Sequence, residues 1–527
     1  MIKYTSSNQL MLEGFSHPFD QELSPDNRWV KLANLIPWDA LASVYSKELS
    51  ATSGRESIDV RMVIGAIIVK HKLGLDDRGT VAMISENVYL QYFCGLQSFQ
   101  SKEPFHPTVF VDIRKRMGAA NFDAWNALVI AKADSLKPAR NKNIDKGDSK
   151  DQNGTPKNKG KLKIDATVAN QKIVFPTDAG LLNKTRKECE RIIDLLYKAS
   201  GNTKKPRDYR RIARKEYLVF SKNRRKSKKQ IRKFIRKQLG YVKRDLAYIE
   251  TLLNQIEDKT REELLSGMFP DMKAPHPYKF PLSKRDQKIY WILQHIYQQQ
   301  YYMYHEATHS LPDRIVNIYQ PYVRPIPRGK DKAGTEFGAK ISASEIDGMS
   351  RVEHISWDQF NESTDLKLQV ETYRVTFGHY PELLLADQIY LNRENRKWLN
   401  ERGIRIVGKP LGRPPKQNLT AYQKRKLKKE RNQRNLIEGK FGQAKNAYGL
   451  SNIQAKRSDT SESWIGAIFF IMNLGTLLKI AKIPPIFYTI IKNWIQVKSF
   501  KPNYIPTQSK FALIHPNNIE KTFKIAG

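Results

Sequence analysis

The sequence predicts an α/β protein in which a mixed sheet follows a helical N-terminal part and is interrupted by a basic helical segment. Residues 162–169 alternate between apolar and polar side chains, which is the period of a strand. Strand patterns return after residue 310 and alternate with helical patterns later in the chain. A chain of 527 residues is too long for one core, so we expect roughly two to four domains.

The N-terminal part, residues 25–135, is predicted to be helical. An apolar helix covers residues 60–68, a second helix runs from residue 80 through residue 93, and Thr108 is placed to cap a third, which ends in three basic residues. Short helices with a basic end are typical of a helix-turn-helix-like DNA-binding unit. An ordinary helical bundle with a solvated basic end explains the same pattern.

The later elements are predicted in chain order. Residues 204–244 hold 19 Lys or Arg against two acids, a net charge of +17, and their interleaved apolar residues favour a folded pair of helices over a tail. Strands are expected at residues 314–323, 336–343 and 351–355. A helix over residues 366–377, a buried parallel strand at 383–386, a strand at 404–407 and a long helix over 421–448 complete the α/β pattern.

These patterns divide the chain into four parts. We expect a helical DNA-binding or dimerisation domain at residues 1–135, a linker at 136–160, a catalytic domain at 161–480 with a basic helical insertion at about 185–310, and a tail at 481–527.

The charge of the chain narrows the possible functions. Lys and Arg total 91 against 53 Asp and Glu, a net charge of +38. Such an excess repels itself unless it meets a polyanion, and nucleic acid is the first candidate because phosphates release counterions to Lys and Arg. Two cysteines exclude a disulfide scaffold and suit a reducing cytosol.

No membrane segment or export signal is expected from the sequence. The longest apolar run, residues 464–478, is shorter than the ~20 residues that a spanning helix needs. It therefore predicts a buried core helix, and the chain is expected in the cytoplasm, associated with the nucleoid.

Three carboxylates are candidates for metal chemistry. Asp165 lies in a predicted strand and Asp387 ends one, where α/β sheets commonly present ligand sites. Glu438 lies in the long helix, where Arg434, four residues before it, and Lys445, seven after it, share its face. Hard divalent cations prefer such oxygen ligands. Ordinary strand-end aspartates and a surface salt bridge explain the same residues.

The motifs around these acids resemble the bacterial insertion-sequence transposases that have an RNase H-like DDE domain, the insertion-sequence four/five-like group. The signature Arg-x3-Glu-x6-Lys is present as Arg434, Glu438 and Lys445, while Arg431 stands where the signature often has Tyr. Residues 163–167 and 175–183 match the first Asp segment, and residues 386–396 and 408–415 match the second. Residues 87–95 and 104–118 resemble the helical N-terminal transposase domain of the same group.

The resemblance implies a mechanism. Asp165, Asp387 and Glu438 would coordinate two Mg²⁺ ions, for which Mn²⁺ can substitute, and we expect their oxygens to converge within a few ångströms. DNA would be cleaved at the ends of the element, and the freed 3′-hydroxyl would be joined to target DNA. The partners implied are double-stranded DNA, as terminal inverted repeats and target, and a second copy of the chain in the DNA complex.

The candidate DNA-binding residues are all basic. Arg434 and Lys445 would hold phosphates near the scissile bond. The basic end of the third N-terminal helix would contact the terminal repeat, and the insertion would clamp the DNA backbone. A Pro-rich basic turn resembles a minor-groove hook. Besides Arg434 and Lys445, these residues are Arg114, Lys115, Arg116, Arg224, Arg225, Lys226, Lys228, Lys229, Arg413 and Lys416.

Two other functions fit the same residues. One is a related metal-dependent nuclease that cuts DNA without joining it. The other is a basic nucleic-acid-binding protein without enzymatic activity, in which the carboxylates are structural.

Overall fold

The computed structural model describes most of the chain up to residue 481. The described residues are 3–4, 22–47, 49, 57–136, 157–267, 280–327, 334–409, 411–412 and 420–481, with side chains described except at 262–267. Arg413 and Lys416, most of the predicted linker and all but the first residue of the predicted C-terminal tail lie outside these ranges.

The N-terminal part is helical, as predicted, and its described residues form seven helices. They are α1 (Arg28–Leu35), α2 (Trp38–Ser46), α3 (Val60–Leu73), α4 (Asp77–Glu86), α5 (Val88–Phe93), α6 (Val109–Met117) and α7 (Ala119–Ser135). The single helix predicted through residue 93 is wrong, because Asn87 is extended and its side chain caps α5. Thr108 does precede α6, but its hydroxyl bonds His106 rather than the helix.

The N-terminal helices do not close a core by themselves. Their buried side chains pack around the apolar helix α15 (Ser458–Ile480), which contributes Ala467, Phe470, Ile471 and Leu474 to the same cluster. At the edge of this cluster the buried Asn473 amide donates to Asn126 of α7 at 3.0 Å. The helical N-terminal part is therefore packed directly on a helix from the end of the described chain.

The helix α15 confirms the predicted buried core helix. It is long and apolar enough to cross a membrane by length and composition, but 67% of its apolar window is buried inside the protein. The core helix of a soluble protein meets the same criteria, so the length and composition of α15 are only weak evidence for a membrane segment.

A six-stranded mixed sheet forms the second part. Its strands are β1 (Lys161–Asn170), β2 (Arg324–Pro327), β3 (Thr335–Ile346), β4 (Met349–Ser356), β5 (Leu383–Leu385) and β6 (Arg405–Ile406). The order is β2-β3-β1-β5-β6, and β4 also pairs with β3. The pairs of β3 with β1, β2 and β4 are antiparallel, whereas β1, β5 and β6 are parallel. This is the mixed sheet expected of an RNase H-like domain.

Helices cover both faces of the sheet. One face carries α12 (Leu366–Phe377) and α13 (Arg393–Glu401), which pack on Leu162 and Ile164 of β1. The other carries α15 and α14 (Ala421–Ala447), which pack on Ile341 and Ala343 of β3. The period-two pattern of β1 separates these faces, so Asp165 lies on the α14 side, opposite the aliphatic row.

The basic helical insertion lies between β1 and β3 in the chain. It consists of α8 (Asp178–Ser200), α9 (Arg210–Lys222), α10 (Lys228–Gly267) and α11 (Lys284–His305). Leu, Ile, Val and Cys side chains of α8, α10 and α11 form its own buried core. The predicted pair of basic helices is confirmed as α9 and α10. The strand expected at residues 314–323 is wrong: that stretch is irregular, and β2 begins only at Arg324.

Candidate active site

The sheet register places Asp165 beside Asp387. The parallel pair of β1 and β5 aligns Lys161 with Leu383 and Lys163 with Leu385. Asp165 and Asp387 each lie two residues beyond the last pair of this register, and Asp387 caps a 3-10 turn where β5 has ended. Because side chains alternate along β1, the Asp165 carboxylate belongs to the α14 side of the sheet. The charge of Asp387 raises the pKa of Asp165, so the two carboxylates interact.

The long helix α14 carries Glu438, which is linked to Asp165 by Arg434 of the same helix. A capping box at Thr420 and Gln423 starts this helix, and Ile437 and Phe441 anchor it on the sheet. The Arg434 guanidinium lies 3.5 Å from Oδ2 of Asp165 and 2.7 Å from Oε1 of Glu438. One arginine therefore contacts two of the three predicted acids.

The two aspartates share a local geometry. Oδ1 of Asp165 accepts the N–H of Ala166 at 2.8 Å, and Oδ1 of Asp387 accepts the N–H of Gln388 at 2.7 Å. Each carboxylate is thus fixed by the backbone of the next residue. Burial raises the pKa of Asp165 to about 6, opposed by that same N–H and by Arg434. Because of the raised pKa, a proton neutralises Asp165 more easily than it neutralises an ordinary aspartate.

Glu362 is an acid that the sequence did not single out. It lies in a 3-10 turn (Glu362–Thr364) before α12 and forms an ion pair with Lys340 at 2.9 Å. Its charge raises the pKa of Asp165, more than the charge of Asp387 does. Only the fold brings this turn near β1, and nothing in the local sequence around Glu362 indicates it.

The predicted close triad is not preassembled. Among the described residues, no group of three or more His, Cys, Asp or Glu side chains is arranged to hold a metal ion. Arg434 instead places its positive charge between Asp165 and Glu438. The residues still fit a divalent cation, because the donors are carboxylate oxygens.

Lys445 of the signature also meets a carboxylate. Its Nζ lies 3.3 Å from Oε1 of Glu336, at the start of β3. Both side chains are largely buried, so Lys445 links α14 to the sheet edge in this structure.

The basic end of α6 is only partly exposed. The Arg114 guanidinium donates two hydrogen bonds of 2.8 Å to Asp77 and lies over the Trp464 ring of α15. Asp77 also pairs with the buried Lys70 at 2.9 Å. Lys115 and Arg116 are exposed, and Arg116 hydrogen-bonds the hydroxyl of Tyr45. The structure thus gives Arg114 a partner inside the protein, whereas Lys115 pairs with the exposed Asp112 at 3.6 Å on the surface.

The basic turn between α9 and α10 is open to solvent. In the described part of the chain, no carboxylate pairs with Arg224, Arg225, Lys228 or Lys229. Lys226 differs, because its ammonium group lies over the Phe220 ring, 5.1 Å from the centroid, and donates to a backbone carbonyl. Four of the five predicted phosphate ligands are therefore accessible.

Two families match the chain over its two parts. The family described as "Transposase DDE domain" matches residues 384–475, which include Asp387, Arg434 and Glu438. The family described as "Transposase domain (DUF772)" matches residues 17–116, which include α1 to α6. These two matches support a DDE transposase of the insertion-sequence type. The mixed sheet is consistent with the RNase H-like fold of such DDE domains.

One curated relative is similar to part of this chain. It is an uncharacterized protein, ORF8 in the nfe locus of Rhizobium meliloti, which is 26% identical over 170 residues, or 32% of this chain and 74% of the relative. No solved structure matches the chain. DDE transposases bind DNA, generally use a divalent metal and are typically cytoplasmic. Asp165 lies outside the matched residues, so its role depends on the sheet register.

Proposed function

We propose that this transposase binds the terminal inverted repeats of an insertion sequence, cleaves the DNA at the ends of the element and joins the 3′-hydroxyl to target DNA. The observation that supports the proposal is the contact of Arg434 with both Asp165 and Glu438, with Asp387 just beyond β5, the parallel neighbour of β1. The superfamily within the insertion sequences stays a prediction.

In this proposal Asp165, Asp387 and Glu438 hold the metal. Two Mg²⁺ or Mn²⁺ ions supply activation of the attacking oxygen and stabilisation of the leaving oxygen in phosphodiester transfer. The backbone N–H groups of Ala166 and Gln388 orient the two aspartates. Arg434 neutralises the acids, and its guanidinium, at the same surface, is placed to hold a backbone phosphate.

The basic residues supply DNA binding in the same proposal. Arg224, Arg225, Lys228 and Lys229 contact backbone phosphates, which adds affinity without sequence information. Two copies of the chain each hold one end of the element, and the complex forms in the cytoplasm at the nucleoid. Light scattering of the protein with and without end DNA tests the dimer.

The active-site proposal is tested with three isosteric variants. Asp165→Asn, Asp387→Asn and Glu438→Gln should each lower cleavage of DNA carrying the element ends at least about 1,000-fold, because removing one metal ligand disrupts the metal pair. DNA affinity should stay within about twofold, since phosphate contacts by Lys and Arg dominate it. The matched control is Asp358→Asn, an acid that is 69% exposed after β4; it should leave both unchanged.

The same assay separates the alternatives. Cleavage in Mg²⁺ or Mn²⁺ followed by joining to a target plasmid supports a transposase, and cleavage without joining indicates a nuclease. Binding without any metal-dependent cleavage by the wild-type protein indicates a non-enzymatic binding protein. Full activity in any one of the three variants removes that residue from the triad.

A further inference from the structure

The helix α9 is attached to the insertion by one face only. Ala213 is its one buried residue. Phe220 stacks on Phe234 of α10 with ring centroids 4.0 Å apart, and Glu216 accepts hydrogen bonds from Lys237 and Tyr241 of α10. At about 100° per residue, positions 213, 216 and 220 lie on one side of the helix, which therefore rests against α10.

The opposite face of α9 is basic and exposed. It lies within an arc of about 140° at 100° per residue and forms a shallow depression of about 340 Å³. The residues that line this depression are Arg211, Arg214, Lys215, Leu218, Val219 and Lys222.

This face combines the two kinds of side chain that read base edges. Arginine forms two hydrogen bonds with guanine in the major groove, and aliphatic side chains contact the methyl group of thymine. Leu218 and Val219 are 46% and 66% exposed, so both side chains are accessible to a ligand. Since Glu216, the one acid of α9, points toward α10, the outer face carries positive charge alone.

The dimensions also fit duplex DNA. A helix of 13 residues is about 20 Å long, and the major groove is about 12 Å wide, which admits one helix. The basic turn at residues 223–229 follows α9 directly and extends the positive surface toward the phosphates.

We propose that α9 is a recognition helix that reads base pairs in the major groove of double-stranded DNA through Arg211, Arg214, Leu218 and Val219. This proposal rests on the proposed function, because the sequence read is that of the terminal repeat. It locates sequence reading in the insertion of the catalytic half, and it leaves the N-terminal helix α6 with packing as its main role.

The test is a selection of random duplexes by the full chain. The wild-type protein should enrich a defined motif. Arg211→Lys with Arg214→Lys keeps the charge but loses the double hydrogen bond, so preference for guanine at one or two positions should fall at least about fivefold. The matched control, Arg224→Lys with Arg225→Lys in the phosphate-binding turn, should keep the motif.

A second pair tests the apolar contacts. Leu218→Ala with Val219→Ala should weaken a thymine preference at a fixed position, whereas Val375→Ala, at an exposed position of α12, should not. The proposal that α9 reads base pairs would be overturned by an unchanged motif in the Arg211 and Arg214 variant, or by a changed oligomeric mass with an unchanged motif. If the wild-type chain enriches no motif, recognition of terminal repeats by this protein fails as well.

Discussion

The catalytic sheet and the insertion are both rich in cations, but the cations meet different partners. Near the sheet, Arg434 contacts Asp165 and Glu438, Lys445 contacts Glu336, and Arg405 forms two hydrogen bonds with Glu430. In the insertion, the outer face of α9 and the turn after it present cations to solvent. Similar residue types therefore serve two purposes.

The difference between paired and unpaired cations shows which part of the net charge of +38 is available to bind a polyanion. A cation paired with a carboxylate adds little to the field around the protein, and it mainly fixes the position and the pKa of its partner. An unpaired surface cation is repelled by its neighbours and stays useful only if a polyanion binds there. The insertion is thus a region where DNA affinity is expected to reside.

The largest effect is expected from the turn between α9 and α10. Replacing Arg224, Arg225, Lys228 and Lys229 by Gln should lower the slope of log affinity against log salt by about 3.6, at about 0.9 per phosphate contact. Affinity should fall for all DNA sequences alike, since phosphate contacts carry no sequence information. Fluorescence anisotropy over a series of salt concentrations measures both quantities.

The matched control for this prediction is a paired cation of similar exposure. Arg457 is 66% exposed and lies 2.6 Å from Asp459, so Arg457→Gln should leave the salt slope unchanged. An unchanged slope in the quadruple variant would show that the turn does not contact DNA. The unpaired cations of the insertion would then not account for DNA affinity.

A smaller effect is expected where a cation is paired in the N-terminal part. Asp77→Asn removes the carboxylate shared by Lys70 and Arg114 and leaves the buried Lys70 uncompensated. The free energy of unfolding should fall by about 3 kcal/mol. Arg114→Gln should lower the free energy of unfolding by less, because the ion pair between Asp77 and Lys70 remains. Urea denaturation gives these values, and a salt slope lowered by about 1 in Arg114→Gln would instead assign a phosphate contact to Arg114.

The smallest effect concerns the pH dependence of the active site. The pKa of Asp165 is raised to about 6, above the ordinary value of 3.8. An acid with a raised pKa stabilises the fold in its protonated form, so its contribution is present below about pH 4 and is lost as the pH rises through 6. Metal binding requires the opposite, ionised form of Asp165. Single-turnover cleavage should therefore fall about tenfold per pH unit below pH 6.

Glu362 offers a way to move this pH profile. Glu362→Gln removes a negative charge that raises the pKa of Asp165. The acid limb of the cleavage profile should therefore shift to lower pH, with the rate above pH 7 little changed. An unmoved acid limb would mean that a group other than Asp165 titrates in this range.

Much of the fold followed from local pattern. The alternation in β1, the short apolar run of β5 and the long α14 are periodic over enough residues to predict their type and place. The errors have local causes: Asn87 interrupts a continuous helical pattern with a cap, and residues 314–323 have strand-like composition without a strand partner. The packing of the N-terminal helices on α15 could not be predicted, because it joins segments more than 300 residues apart.

The sequence by itself determined which acids to consider and that the partner is a polyanion, because residue type, spacing and net charge are properties of the chain. Only the tertiary structure decided which cations are paired. Arg434 and Arg224 look alike in the sequence, yet one contacts two carboxylates and the other faces solvent. A charge depends on its neighbours within a few ångströms, and those neighbours are set by the sheet register and by the face that each helix buries.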